Sequence, residues 1–144
     1  MADRPVVSLI EENTKIKVSS VLNRDVKEYG KKFMFDGKEE TCWNSDQGSP
    51  QFILFDFSRN IQLKEIQIQF QGGFVGCDCQ VEGGDSTKSL TMFHKFYPDD
   101  VNTLQMFPVN SKNYFQVLKI TFSKSTDFYG RITIYKLDLH GSLL

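Results

Sequence analysis

Apolar and polar residues alternate along most of this chain, and the phase of the alternation predicts its strands. Ile66, Ile68 and Phe70 alternate with Glu65, Gln67, Gln69 and Gln71, the period-two signature of a half-buried strand. Ile53, Phe55 and Phe57 fall on one side of a second extended segment that opens at Gln51-Phe52. Leu118, Ile120 and Phe122 do the same against Lys119 and Thr121, and Ile132 and Ile134 alternate with Arg131, Thr133 and Tyr135. Two places break phase. Ile61 and Leu63 oppose the Ile66 set, which predicts a bulge near Lys64, and Leu137 and Leu139 oppose Ile134, which predicts another near Tyr135-Lys136.

Shorter elements fill the rest. Ile16 and Val18 suggest a first strand, and Val26, Tyr29 and Phe33 suit one or two helical turns interrupted by Gly30. Further strands are expected over Cys77 to Val81, Leu90 to Tyr97 and Leu104 to Val109. Turns separate them at Asp36-Gly37, Ser49-Pro50, Gly72-Gly73, Gly83-Gly84-Asp85, Asp99-Asp100 and Ser125 to Gly130, with Gly141 closing the last strand. Residues 1–15 have no clean period and read as a leader or an edge strand, with one domain over 16–144. Roughly seven to nine short strands with almost no helix mean an all-β antiparallel sandwich or barrel. Its core should hold Trp43, Ile53, Phe55, Ile66, Ile68, Leu118, Ile120, Phe122, Ile132 and Ile134.

Composition narrows the function classes. The chain has 144 residues, thirteen Phe and a formal net charge of −1, with a pI near 6.1. That balance lacks the basic face a general nucleic-acid binder needs, so no direct nucleic-acid contact is expected. Lys27, Lys31 and Lys32 form one small cluster that reads as a solvated face. No apolar run is long enough to cross a membrane as a helix, and no apolar signal core opens the chain. Three Cys is an odd number, and Cys77 and Cys79 stand too close along a strand to bond each other. Reduced thiols in an intracellular protein are the expectation.

Catalytic chemistry finds little support. No Gly-x-Ser-x-Gly elbow or phosphate-binding loop is present, and the Gly72-Gly73 loop lacks the spacing of a dinucleotide site. His94 and His140 are the two histidines, and Cys77, Cys79 and His94 would need a fourth ligand to hold zinc. The expectation is a non-catalytic protein. Loops on a rigid sandwich are where such folds carry function. Gln47, Gly72, Gly73 and Phe74 make a neutral patch suited to a protein partner, with Phe74 expected to be an exposed ring. No Leu-x-x-Leu-Leu segment is present, so helix-in-groove docking of that kind is not available.

Several motifs carry a family resemblance. Phe35-Asp36-Gly37, Thr41-Cys42-Trp43, the strand from Gln51-Phe52-Ile53, and Leu137-Asp138-Leu139-His140-Gly141 resemble the landmarks of discoidin-like, galactose-binding-like domains, with Phe52 where that family usually has Trp. Glu40 to Gly48, Gln69 to Phe74 and Thr126 to Arg131 are similar to the nuclear-receptor-associated members of the superfamily. The resemblance implies an antiparallel jelly roll acting as a repressor-type partner of an orphan nuclear receptor of the testicular-receptor type, in the nucleus or in nucleus and cytoplasm. Strand interiors are committed to pairing and core burial, so partner binding is expected on the loops carrying Asn44, Asp46, Gln47, Gly72, Gly73, Phe74, Asp127, Tyr129 and Arg131. An alternative is a lectin-like module in which Asn44, Phe74, Tyr129 and Arg131 recognise a sugar; against it, Arg131 can instead pair with Asp127. The family also suggests a structural calcium on Asp36 and Thr41. Lys136 stands where its last acidic ligand is expected and can neutralise Asp36 in place of the cation, so the expected cofactor is none.

Overall fold

The computed structural model describes residues 4–144. Its nine strands among those residues are β1 (Val7–Ser8), β2 (Lys15–Val18), β3 (Trp43–Asn44), β4 (Gln51–Phe70), β5 (Gly76–Gly84), β6 (Thr91–Phe96), β7 (Gln105–Pro108), β8 (Phe115–Ser125) and β9 (Thr133–Leu143). Helix is confined to α1 (Val26–Tyr29) and two 3₁₀ turns at Leu22–Arg24 and Lys31–Met34. All pairings are antiparallel. The fold is an antiparallel β-sandwich, as the alternation predicts.

β4 organises the sandwich. Its first half pairs with β2 and β8, and its second half pairs with β7 and β9. The two segments that read as separate strands in the sequence are thus one strand that bends between layers. The bend falls at Ser58, whose φ is +55°, and the Asp56 carboxylate accepts the Ser58 N–H at 2.9 Å. An Asp that bonds the backbone two residues on stabilises such a turn.

Both expected bulges occur. The β4–β9 register shifts between Leu63 and Glu65 and again between Gln69 and Phe70, where Tyr135 is the residue left over. Each bulge returns its strand to the inward phase, so Ile61, Leu63, Ile66 and Ile68 are all fully buried, as are Ile134 and Leu139. All ten residues expected in the core are buried. Trp43 is completely enclosed, and its Nε1 donates to the Ser20 carbonyl at 2.9 Å, which satisfies the one polar atom of the ring. Phe70 and Phe122 meet edge to face with centroids 5.8 Å apart, and Phe96 meets Phe107 at 4.9 Å where the β6 and β7 edges approach each other.

Two expectations change, and one burial is new. Gly141 does not close the last strand but lies inside β9, paired with Leu63 on one side and Val7 on the other. A Cβ there would stand 1.9 Å from the Gln62 carbonyl oxygen, so the close approach of backbones requires glycine. Gly83 and Gly84 continue β5 rather than forming a turn, because Gly83 makes room for the Phe115 ring. Finally, Leu9 is buried, and its N–H donates to the Leu139 carbonyl at 2.7 Å beside the β1–β9 pairing. A lone leucine in an aperiodic segment gives no sign of that burial.

Phe55→Ala and Ile120→Ala should each lower stability by about 2–5 kcal/mol in urea titration, the range for large-to-small changes in a packed core. A midpoint that barely moves for both would mean that the two side chains do not face the interior.

Candidate functional site

Antiparallel pairing fixes where the loops go. Gln51 opens β4 opposite Phe122, and Phe70 ends it opposite Ile134, so both ends of β4 reach the end of the sandwich where β8 leads into β9. Asn44 pairs with Thr133 at the same end. The segments 44–50, 71–75 and 126–132 therefore converge, although up to 89 residues separate their contacts.

They are bonded to one another. The Gly48 N–H donates to the Tyr129 carbonyl at 2.7 Å, the Ser45 N–H to Ile132 at 2.8 Å, and the Thr133 N–H to Phe74 at 3.1 Å. The Ile132 N–H returns a bond to the Ser45 hydroxyl at 2.8 Å, and Thr126 Oγ1 accepts from the Val75 N–H at 3.0 Å. Gly130 adopts φ +84° with its α-carbon against Gly48, a conformation and a contact that both exclude a side chain.

Arg131 occupies the middle of the cluster. Its Nε donates to Asp127 Oδ2 at 2.9 Å and its terminal nitrogen to Oδ1 at 3.2 Å, while its backbone N–H adds a third bond to Oδ2 at 3.1 Å. The fork of guanidinium donors matches the carboxylate in a bidentate pair. The guanidinium carbon lies 5.2 Å from the centroid of Phe74 and 5.6 Å from that of Tyr129, in cation–π contact with both rings. Hydrogen bonding to the Arg131 side chain, with its backbone N–H and charge, outweighs burial and holds the Asp127 carboxyl below the usual carboxylate range. Arg131 is therefore committed within the loop rather than free for a ligand.

The other expected residues are similarly tied. Asn44 Oδ1 accepts from the Thr133 hydroxyl, and its amide faces Cys42 Sγ at 3.7 Å. Asp46 caps the Gln47 N–H at 3.0 Å, and Gln47 is exposed. The Gly72 and Gly73 N–H groups donate to Asn102 Oδ1 at 2.7 Å and Asp100 Oδ1 at 2.8 Å. A fourth loop, 97–104, thus joins the other three. Its Asp and Asn are residues that cap backbone groups, yet partners 27 and 30 positions away leave no local pattern. Phe74 is not the exposed ring, because the Arg131 guanidinium lies over it and it is half-buried. The exposed rings are Phe128 at 93% and Tyr129 at 57%, in an edge-to-face pair with centroids 5.2 Å apart, and Tyr97 at 64% on the 97–104 loop.

The Asp36 turn is the candidate for a hard cation. Asp36 Oδ2 accepts the Thr41 hydroxyl at 2.6 Å and Oδ1 accepts the Lys38 N–H at 3.0 Å, so both oxygens already have donors. Burial raises the Asp36 carboxyl, but the Thr41 and Lys38 bonds and the Lys38 charge overcome it and leave it below its ordinary value. Lys38, not Lys136, supplies the charge at Asp36, and no Asp36–Lys136 ion pair forms among the described residues. Lys136 and Gly37 instead line the same groove of about 480 Å³, together with Met34, Phe35 and Leu137. The Asp36 carboxylate thus closes its own turn, with one ammonium group, that of Lys38, acting on it. Among the described residues no three His, Cys, Asp or Glu side chains gather as a metal site. Cys79 is buried, and burial pushes its thiol well above the usual range.

Residues 12–143 match the family model described as Sad1/UNC-like C-terminal. The nuclear receptor 2C2-associated protein of Danio rerio is 53% identical over 134 residues, spanning 93% of this chain and 95% of that protein. The chain belongs to the Sad1/UNC-like C-terminal family and to the nuclear receptor 2C2-associated proteins. Among solved structures, the F5/8 type C domain of a Bacteroides fragilis protein superposes with TM-score 0.80 at 11% identity, over 96% of this chain and 98% of that one. The family 32 carbohydrate-binding module of Clostridium perfringens NanJ, in complex with galactose, superposes with TM-score 0.75 at 14% identity, over 94% and 99%. These likenesses establish the discoidin-like jelly roll for this nuclear receptor 2C2-associated protein family member.

The Asp127–Arg131 pair gives a pH signature. A carboxyl lowered on folding contributes stability that is full above its unfolded value, about 4, and is lost as pH falls through the folded one. Asp127→Asn should lower the melting temperature at pH 7, and the gap to wild type should close as pH falls below about 4. A gap that is the same at both pH values would show that the pair does not stabilise the loop.

Proposed function

We propose that this protein is a non-catalytic interaction module that binds an orphan nuclear receptor through the loops at one end of its sandwich, and that it represses receptor-driven transcription from the nucleus or from nucleus and cytoplasm. The observation that carries this reading is the 53% identity, across nearly the whole chain, to a protein named for association with nuclear receptor 2C2. The geometry of the loop end supports a folded protein partner over a sugar. Sugar recognition needs free polar donors around a stacking ring, whereas the side chains of Arg131 and Asn44 are committed to Asp127, Thr133 and Cys42. What remains outward is apolar ring and carboxylate, an arrangement that suits a protein surface. Binding rather than chemistry also fits the scattered histidines and buried or half-buried thiols. Asp36 and Thr41 act as a turn-locking pair in place of a calcium site.

Two experiments test these proposals. Purified protein should retain nuclear receptor 2C2 in sugar-free buffer, and raising its level in cells should lower a receptor-driven reporter. Absence of retention, together with selective binding on a glycan array, would replace this reading with the lectin-like one. Millimolar calcium should leave the melting temperature within about a degree, because a ligand stabilises only in proportion to its occupancy of the native state. A chelator-reversible rise of several degrees that is lost in Asp36→Ala would show that the turn holds the ion.

A further inference from the structure

The Phe128 side chain takes no part in holding the loops together. Phe128 is 93% exposed, and the neighbour that its ring meets, Tyr129, is itself 57% exposed. Single apolar residues on a surface are ordinary; this one differs in its mounting. The residues on either side are fixed. The Asp127 N–H donates to Ser125 Oγ at 3.0 Å, and the Gly130 N–H closes the turn onto the Asp127 carbonyl at 3.0 Å. Ser125 Oγ in turn donates to the Arg131 carbonyl at 2.7 Å, and the Tyr129 carbonyl accepts from Gly48. A turn held on both sides of Phe128 presents the ring to water on a backbone with little freedom left to lose on binding, which lowers one of the main costs of association.

The surrounding charge selects among occupants. Asp127 is matched by Arg131, and Lys124 faces Asp78 at 3.9 Å. Asp46, Asp99 and Asp100 at the same end pair with no cation within 4 Å among the described residues. The rings therefore sit within an acidic rim. Such a rim opposes approach to an anionic lipid surface and attracts a basic one.

We propose that Phe128, supported by Tyr129, is the anchor residue of this protein and enters an apolar pocket with a basic rim on a folded protein partner. The proposal rests on the reading that this end of the sandwich binds a protein, and it adds the residue and the chemistry of the pocket. An anchor of this kind acts on how long the complex lasts, whereas rim carboxylates act on how fast it forms.

The test uses the full-length protein over immobilised nuclear receptor 2C2, with association and dissociation read separately. Phe128→Ser should weaken binding about 30-fold through faster dissociation, at an unchanged melting temperature, as expected for loss of one anchor. Phe128→Leu should recover part of that loss, and Asp99→Lys should slow association several-fold and flatten its dependence on salt. Wild-type affinity in Phe128→Ser overturns the anchor while leaving the receptor reading intact. No binding by the wild type overturns both. Phe128-dependent sedimentation with phosphatidylserine vesicles, without receptor binding, would make the tip a membrane contact and overturn the protein pocket.

Discussion

The constraint on which the rest depends is the bend of β4. A strand that serves both layers must bury its apolar side chains in the same core before and after it changes layer. Simple alternation cannot do this over twenty residues once the strand turns. The left-handed Ser58 supplies the bend, and the extra residue at Lys64 restores the inward phase for Ile66, Ile68 and Phe70. β9 must make a matching correction at Tyr135, because it pairs with β4 along nearly the whole second half. Without these irregularities one set of leucines and isoleucines would face water.

The same bend sends both ends of β4 to one end of the molecule and so assembles the loops. What happens there is a second use of close complementarity. Polar groups that could have recognised a ligand are bonded to neighbours: Arg131 to Asp127, Asn44 to Thr133, and the Gly72 and Gly73 amides to Asn102 and Asp100. The result is rigid rather than adaptable. Rigidity suits a surface that offers a preformed shape to another folded protein, since less conformational freedom is lost on docking. The sugar-bound Clostridium perfringens module shares the fold, and the fold alone leaves open which use its loops serve.

The Asp36–Thr41 turn shows the same inward commitment. Its carboxylate closes the turn with Thr41 and Lys38, and the last strand lines the adjacent groove with Lys136, Leu137 and Asp138.

Much of this was legible in the sequence because it depends on local period. The strand phases, both bulges and the ten core residues follow from which side of a pleated chain each residue takes, and Asp127 and Arg131, four residues apart, could be matched within one turn. The tertiary structure alone decided what depends on distant chain segments meeting. That Gly141 must be glycine follows from the Gln62 carbonyl lying against it, and the burial of Leu9 from β1 reaching β9. Phe74 reads as a free ring after two glycines until Arg131, 57 positions later, lies over it, and Phe128 reads as one turn residue among several until its neighbours are seen to be fixed. Period is written in neighbouring residues; exposure is a property of whatever else the fold brings within van der Waals reach.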